Sequence, residues 1–283
     1  MQVLRRYSLQ VGALIFVTTA LALSAQAASF SEANLKGSYS YMLHKWTVAV
    51  GKNQYAEVGV MTFDGAGNMT GSATAVGGGV PKSGTLSGTY TVNPIGSGTI
   101  KITSILSTPP TYYLGFVLNS ISSGLAHSFQ FAQIGNHNNV VISGSAQIQS
   151  ATAMQYSAAS LQGSFTFLYN SWSADPKFDE IGGIGILTFD GAGNLEGWLT
   201  GVDRGVAQLL TFTGSYLVNS DGTCSGSLEL SNSSTTTLAC ALNSVGAQGA
   251  SGLNLLVTNE GPSGADNSTN YALTLNAAKQ GTP

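Results

Sequence analysis

The sequence predicts an all-β protein made of two tandem eight-stranded antiparallel up-and-down β-barrels, preceded by a signal peptide. Three observations lead to this prediction. One β-rich unit is written twice, short strand-like runs recur between turn residues in both copies, and no window beyond the signal peptide shows a sustained helical period. Two-sheet β-sandwiches are the main alternative, because they also suit short antiparallel strands.

The repeat is clearest in the stretch 60–68, VMTFDGAGN, which returns 126 residues later as 186–194, ILTFDGAGN. The match extends without a gap from 33–46 to 88–93, and the offset then slips to 124 at 118–120. Such a slip is expected where residues have been lost in a loop. Each copy is about the size of a small domain, so each is expected to have its own core.

Strand signals are runs of apolar or alternating residues bounded by Gly, Asn, Asp or Pro. In the first copy the predicted strands are 36–47, 54–63, 68–77, 83–92, 98–106, 111–118, 125–133 and 139–148. In the second copy they are 162–172, 179–189, 194–203, 207–218, 223–231, 235–242, 251–258 and 269–276. Eight short strands leave two sheet edges unless the sheet closes, and this favours a barrel.

The N-terminal residues are predicted to form a bacterial signal peptide. Arg5 and Arg6 supply a positive start, 11–23 is apolar but short for a bilayer span, and 25–27 is a small-x-small cleavage site. We therefore expect export to the periplasm or the extracellular space. The predicted organisation is signal peptide 1–27, first barrel repeat 28–150, linker 151–158 and second barrel repeat 159–283.

Charged residues make up only 8 % of the chain, the formal net charge is −3, and Gly occurs 36 times. This composition suits exposed β-structure with tight turns and excludes a disordered chain, and it gives no reason to expect a nucleic-acid partner. The charge is unevenly split. Residues 33–158 hold five Lys against two acids (+3), and 159–283 hold three bases against ten acids (−7). Drift after duplication explains the split, but so does attraction between copies or molecules, so self-association is one expectation.

The two cysteines, Cys224 and Cys240, both lie in the second copy. Their midpoint falls in the turn-like segment 231–234, so a hairpin places them opposite each other. An oxidising compartment then favours a disulfide, which would be a local structural staple. The spacing is not the Cys-x-x-Cys of a redox site.

The sequence 63–68 between two predicted strands is typical of a hairpin turn. Asp64 can accept backbone N–H bonds, while Gly65, Gly67 and Asn68 tolerate positive φ. A calcium loop is the functional alternative, but such a site usually needs several carboxylates and this loop offers one.

Two short motifs suggest a family resemblance. Leu35–Tyr39 and Leu161–Phe165 share a Leu-x-Gly-Ser-aromatic opening that resembles the Gly-x-Trp start of lipocalins and the first strand of avidins. Gly88–Thr91 resembles a Gly-Thr-Tyr-Thr stretch of avidin-type barrels. These calycin-type families bind a small ligand at the open end of an eight-stranded barrel, so the resemblance implies an interior site, although their ligands do not carry over. The Phe-Asp-Gly-x-Gly-Asn and Gly-x-Tyr-x-Val motifs also resemble those of uncharacterised exported bacterial proteins.

No catalytic or cofactor motif is present. The three histidines are confined to the first copy, and His127 and His137 can face each other across a hairpin without an evident third metal ligand. Asp175, Asp179 and Glu180 cluster in a predicted solvated loop. We therefore expect no catalytic residue, no metal and no cofactor.

Aromatic residues are the candidate ligand-binding residues. Trp46 and Trp172 match across the repeat near the end of the first strand of each copy, and Tyr41, Tyr90 and Tyr216 are predicted to line the barrels. The same side chains can instead fill the interior as core, since an eight-stranded barrel is just wide enough to be filled or to hold one small ligand.

The favoured function is therefore an exported, non-enzymatic binding protein for a small apolar or glycan-like molecule. A structural, surface-layer or adhesive envelope protein is one alternative, and a cyclase- or dirigent-like barrel that needs few catalytic residues is another. A membrane-spanning barrel is not expected, because neither aromatic girdles nor an outward apolar band is visible.

Overall fold

The computed structural model describes residues 29–47, 54–77, 80–106, 111–135, 140–150, 155–172, 180–203, 206–259 and 272–280. Within them the chain forms two closed eight-stranded antiparallel barrels and two short 3₁₀ turns, without an α-helix. The predicted fold class is confirmed. No helix in these residues is long and apolar enough to cross a bilayer.

The first barrel consists of β1 (Lys36–Thr47), β2 (Gln54–Asp64), β3 (Asn68–Gly77), β4 (Val80–Val92), β5 (Ser97–Ser104), β6 (Thr111–Ser122), β7 (Leu125–Gln133) and β8 (Val140–Ile148). Each strand pairs with its neighbour in sequence, and the barrel closes where β1 pairs with β8, Tyr39 lying opposite Ile148.

The second barrel consists of β9 (Gln162–Trp172), β10 (Glu180–Asp190), β11 (Asn194–Asp203), β12 (Val206–Val218), β13 (Thr223–Leu230), β14 (Thr235–Gly246), β15 (Gly249–Asn259) and β16 (Ala272–Lys279). It closes through the pairing of β9 with β16. The predicted strands match to within three residues at each end, except that β6 and β14 run four residues further than the expected 111–118 and 235–242. The last strand, expected at 269–276, is Ala272–Lys279.

Alternation along each strand decides which side chains fill the barrels. Tyr39, Tyr41 and Leu43 point into the first barrel and are at most 1 % exposed. Around them the aromatic rings pack in edge-to-face and tilted pairs: the ring centroids of Phe63 (edge to face) and Phe129 (tilted) lie 5.6 and 5.5 Å from that of Tyr39. This geometry favours the opposed charges of ring edge and face, so the aromatic filling is a specific core.

One end of each barrel, here called the turn end, carries the short hairpins. Asp64 Oδ1 accepts the N–H of Ala66 at 2.7 Å and of Asn68 at 3.0 Å, while Oδ2 accepts from Asn68 Nδ2 at 2.7 Å. Asp190 repeats this pattern in the second barrel. Both oxygens of each carboxylate therefore serve the turn, which confirms the interpretation as turn chemistry.

The turn end is covered by a 3₁₀ turn that precedes the first strand, Glu32–Asn34 in one barrel and Ala158–Ser160 in the other. In the first barrel the Tyr90 hydroxyl donates to the Leu35 carbonyl at 2.8 Å. The Tyr216 hydroxyl donates to the Leu161 carbonyl at the same distance. Each tyrosine thus fastens the cover to its barrel, because a buried hydroxyl needs a partner.

The predicted disulfide between Cys224 and Cys240 is present and joins directly opposed residues of β13 and β14. In the first barrel the corresponding directly opposed pair is Gly98 and Phe116. A Cβ added at Gly98 would collide with the Phe116 ring, so the ring lies over the glycine. One structural position is therefore filled by a covalent bond in one barrel and by an aromatic ring in the other.

The barrels pack side by side, with the outer face of β1–β3 against the outer face of β14 and β15. Met42, Val58 and Val76 from the first barrel form a buried apolar cluster with Ala239 and Leu256 from the second. Their outward direction explains why β2 is apolar on both faces, as expected for a strand that is buried on both sides.

Two hydrogen bonds cross the same junction. Asn254 Nδ2 donates to Ser40 Oγ at 3.2 Å, and both residues are buried. The Ser72 hydroxyl donates to the carboxylate of Asp221, which lies in the turn between β12 and β13. The apolar cluster is thereby flanked by polar contacts that fix the orientation of the barrels.

A polar cluster inside the first barrel

Glu57 lies inside the first barrel and is only 1 % exposed. It occupies β2, near the end of the barrel opposite the turn end, here called the loop end. The inward direction of its side chain follows from the pairing of β1 with β2. Leu43 lies opposite Glu57 and Tyr39 lies opposite Met61, and directly opposed residues share one face of the sheet. A carboxyl group is thus placed on the face of the strand that otherwise supplies core side chains.

Two tyrosine hydroxyls surround this carboxyl group. The Tyr55 hydroxyl donates to Glu57 Oε2 at 2.7 Å, and the Tyr41 hydroxyl donates to Oε1. Lys45 Nζ lies 5.4 Å from the centroid of the Tyr55 ring, a cation–π distance. Tyr112 completes the set, which we call the Glu57 cluster.

The Tyr112 hydroxyl is buried and has no hydrogen-bond partner among the residues that the structure describes. The side-chain oxygen of Gln133, on the next strand, is also buried and unpaired within that part of the chain. An unpaired buried polar atom costs about 1–3 kcal/mol of stability. Two such atoms in one half of a barrel call for an explanation.

Burial dominates the electrostatics of the Glu57 cluster. It raises the pKa of the Glu57 carboxyl, against the opposing effects of the hydrogen bonds from Tyr41 and Tyr55 and of the Lys45 charge. Burial and the nearby Glu57 charge also raise the pKa values of Tyr41, Tyr55 and Tyr112, so the phenols stay neutral. Burial lowers the pKa of Lys45, although Glu57 counteracts it. The cluster is therefore poised to hold a proton on Glu57.

The second barrel lacks this cluster. At the offset of 126, Gly183 replaces Glu57, Phe167 replaces Tyr41, Ile181 replaces Tyr55 and Ser171 replaces Lys45. Thr236 corresponds to Tyr112 at the offset of 124. The second barrel nevertheless closes with the same strand order. The fold therefore does not require a buried carboxyl group.

We expect Glu57→Gln to stabilise the protein increasingly as the pH rises. The folded state holds the Glu57 proton above the unfolded pKa of about 4.3, so stability is lost as the pH rises through the raised folded pKa. Glutamine keeps the shape and does not titrate. Urea unfolding at about pH 4.5 and about pH 8 measures the difference between wild type and variant, which should be larger at the higher pH.

Glu196→Gln, at an exposed position of β11, is the matched control for removal of one carboxylate from the protein. Equal differences between wild type and Glu57→Gln at both pH values would contradict a raised pKa of Glu57.

The structure places the predicted ligand-binding residues in three locations. Tyr41 belongs to the Glu57 cluster. Tyr90 and Tyr216 lie at the turn ends, where they hold the 3₁₀ turns. The backbones of Trp46 and Trp172 pair at the ends of β1 and β9, while their side chains lie outside the described residues. Ligand contacts by these residues stay predictions.

Four members of the Glu57 cluster were not among the site residues predicted from the sequence: Glu57, Tyr55, Tyr112 and Lys45. The sequence of β2 contained a signal, because even spacing along the strand puts Glu57 on the same face as Met61 and Phe63. An isolated acid in a strand is usually solvent-facing, and only barrel closure brings β6 towards it.

Other candidate sites are weaker. No three metal-ligating side chains come together in the described ranges, where His127 is exposed. His137, Asp175 and Asp179 lie outside those ranges. Two open grooves flank the junction between the barrels, with volumes of about 380 and about 500 Å³. The side chains that line them are neutral.

These features define the class of the molecule: a tandem pair of closed eight-stranded antiparallel barrels, the first with a polar cluster inside. No family model matches the chain, and no curated protein matches it in sequence.

Several solved structures are similar over most of the chain. Transferrin-binding protein B from Neisseria meningitidis has 8 % identity, covers 87 % of this chain and 78 % of that chain, and gives a TM-score of 0.28. A DUF3598-family protein of unknown function from Nostoc punctiforme has 11 % identity and a TM-score of 0.26, and the alignment covers 87 % of this chain and 96 % of that chain. Kievitone hydratase from Nectria haematococca has 7 % identity, coverages of 86 % and 89 %, and a TM-score of 0.28. Similarity at this level carries no statement about ligand or activity.

Proposed function

We propose that this chain is an exported, non-enzymatic binding protein and that the Glu57 cluster in its first barrel is the ligand site. The observation that carries the proposal is the contrast between the two barrels. Both close in the same way, but among the residues that the structure describes only the first has a buried carboxyl group among tyrosines. Burying such groups costs stability, so their presence where the fold does not need them favours a function.

The chemistry of the cluster supports a small ligand with an apolar body and a polar end. Leu43, Leu114 and Phe131 are buried core residues of the same barrel and would surround the body. The unpaired Tyr112 hydroxyl and Gln133 oxygen would satisfy the polar end, one as a donor and the other as an acceptor. A ligand hydroxyl can do both, which fits a phenol-like or singly hydroxylated molecule better than a fully polar one.

Two measurements test the proposal. Native mass spectrometry of the protein purified from an exporting bacterium should detect a retained small molecule. Fluorescence titration should show that 1-naphthol binds about tenfold more tightly than naphthalene, because one hydrogen bond contributes about 1–1.5 kcal/mol. Tyr112→Phe should remove most of this preference without loss of stability, since it deletes an unpaired buried hydroxyl.

Tyr169→Phe is the matched control, because it removes a buried phenol from the second barrel. It should leave the preference for 1-naphthol intact. If Tyr112→Phe and Tyr169→Phe both bind like wild type, the ligand site is not the Glu57 cluster. If neither a retained molecule nor binding of either probe is detected, the binding function itself is rejected.

A further inference from the structure

The junction between the two barrels uses different surfaces of the repeated unit. The first barrel contributes the outer side of β1–β3, which we call its leading face. The second barrel contributes the outer side of β14–β15 together with the turn between β12 and β13, which we call its trailing face. Each barrel has both faces by virtue of the repeat, so the second barrel's leading face and the first barrel's trailing face are left without a partner barrel in the chain.

The leading face of the second barrel keeps the apolar character of its covered counterpart. Met42, Val58 and Val76 in the junction are 9 %, 1 % and 1 % exposed. The equivalent residues at the offset of 126 are Leu168, Ile184 and Val202, which are 59 %, 51 % and 46 % exposed. Three outward aliphatic side chains on adjacent strands are typical of a surface that is covered in an assembly.

The trailing face of the first barrel has small residues at two central positions, and the exposed side chain of Ile134 lies over one of them, Gly115. Gly115 and Ala132 stand at the positions of the junction residues Ala239 and Leu256, at the offset of 124. Of the two polar pairs that cross the junction, Ser40 and Asn254 have the polar counterparts Thr166 and Gln130.

One exchanged pair argues most directly for a specific contact. Within the chain, Ser72 on the leading face bonds Asp221 on the trailing face. Their equivalents are Trp198, 38 % exposed, and Ile95, 83 % exposed. Both members of a polar pair are thus replaced by large apolar residues. If the two free faces dock in the same way as the two faces of the junction, these apolar residues come into contact.

Charge complementarity points to the same occupant. The second copy carries −7 and the first +3. Glu196 is exposed two residues before Trp198. The exposed Lys101 on β5 lies opposite Tyr113 on β6, the strand that also contains Gly115. An acid on the free leading face and a base beside the free trailing face favour a second copy of this chain over repulsion between like copies.

We infer that this protein assembles head to tail, the leading face of one molecule's second barrel docking on the trailing face of the next molecule's first barrel. The contact repeats the junction already present within each chain. It is heterologous, since the two surfaces differ, and such contacts give a ring if the rotation closes and an open filament otherwise.

Cross-linking between two single-cysteine variants tests the contact directly. The two native cysteines of the chain are joined in a disulfide, so an added cysteine is the only free thiol. Mixing Ile95→Cys with Trp198→Cys under mild oxidation should give a disulfide-linked heterodimer. Ile105→Cys mixed with Trp198→Cys is the matched control, because Ile105 is 76 % exposed but lies at the other end of β5, about 25 Å away. We expect the control pair to cross-link at least about tenfold less.

Sedimentation equilibrium of the untagged protein supplies the second readout. The weight-average mass should rise with concentration, and Ile95→Asp or Trp198→Ser alone should weaken association about tenfold or more. The double variant should recover part of it, because it restores the Asp–Ser pair of the junction, whereas Ile105→Asp should have no effect.

The inference is overturned by a monomer at every concentration without preferential cross-linking. It is also overturned if Ile95→Asp and Ile105→Asp act equally. Homodimers linked through Trp198→Cys alone would show that like faces meet, which excludes the head-to-tail arrangement.

Discussion

Phe129→Ala is expected to lower the free energy of unfolding by about 3–5 kcal/mol, the range for removing a buried phenylalanine ring. Phe129 is fully buried and its ring packs against four others: Tyr39, Phe63, Phe116 and Phe131. These rings come from different strands of a closed barrel, so the wall cannot collapse into the cavity. Urea unfolding followed by circular dichroism measures the loss.

Val117→Ala is the control for this substitution. Val117 lies on the adjacent strand β6 but is 59 % exposed, so its truncation should change stability by no more than about 0.5 kcal/mol. A loss below about 1.5 kcal/mol for Phe129→Ala would mean that the aromatic filling does not act as a close-packed core.

Replacing both cysteines, Cys224→Ala with Cys240→Ala, is expected to cost the second barrel about 3 kcal/mol. Their sequence separation is 16, and a disulfide that closes a loop of this length restricts the unfolded chain by about that much. The loss is measured by urea unfolding of the oxidised wild type and of the double variant at the same pH.

The first barrel provides a matched replacement. Cys224→Gly with Cys240→Phe installs the pair found as Gly98 and Phe116, in which a ring covers a glycine. We expect this variant to regain part of the stability that the alanine variant loses. If both variants are equally destabilised, the ring and the disulfide are not interchangeable at this position.

Local and periodic features of the molecule could be predicted from the sequence. The turn at Asp64, the disulfide between Cys224 and Cys240 and the strand positions depend on residues that are close in sequence or repeated at a fixed offset. Barrel closure followed from counting strands and their edges. Each of these features is visible in the sequence of one strand or one hairpin at a time.

The Glu57 cluster could not be predicted in the same way. Its members lie on β1, β2 and β6, and their proximity results from the curvature of a closed sheet, which no pattern along one strand encodes. The junction between the barrels was missed for the same reason, although β2 held a clue. Val58 and Met61 make that strand apolar on both faces, which only a second covering layer explains.

The glycine–phenylalanine pair and the disulfide have different chemical requirements, although they occupy equivalent positions. At this position the first barrel is stabilised by the packing of a ring on a glycine. The second barrel is stabilised by a disulfide, which forms only if an oxidant is present. Under thiol-reducing conditions the first barrel would therefore have its full stability, and the second barrel would be less stable because its disulfide is missing. Redox conditions at the time of folding thus control the stability of the second barrel and leave that of the first barrel unaffected.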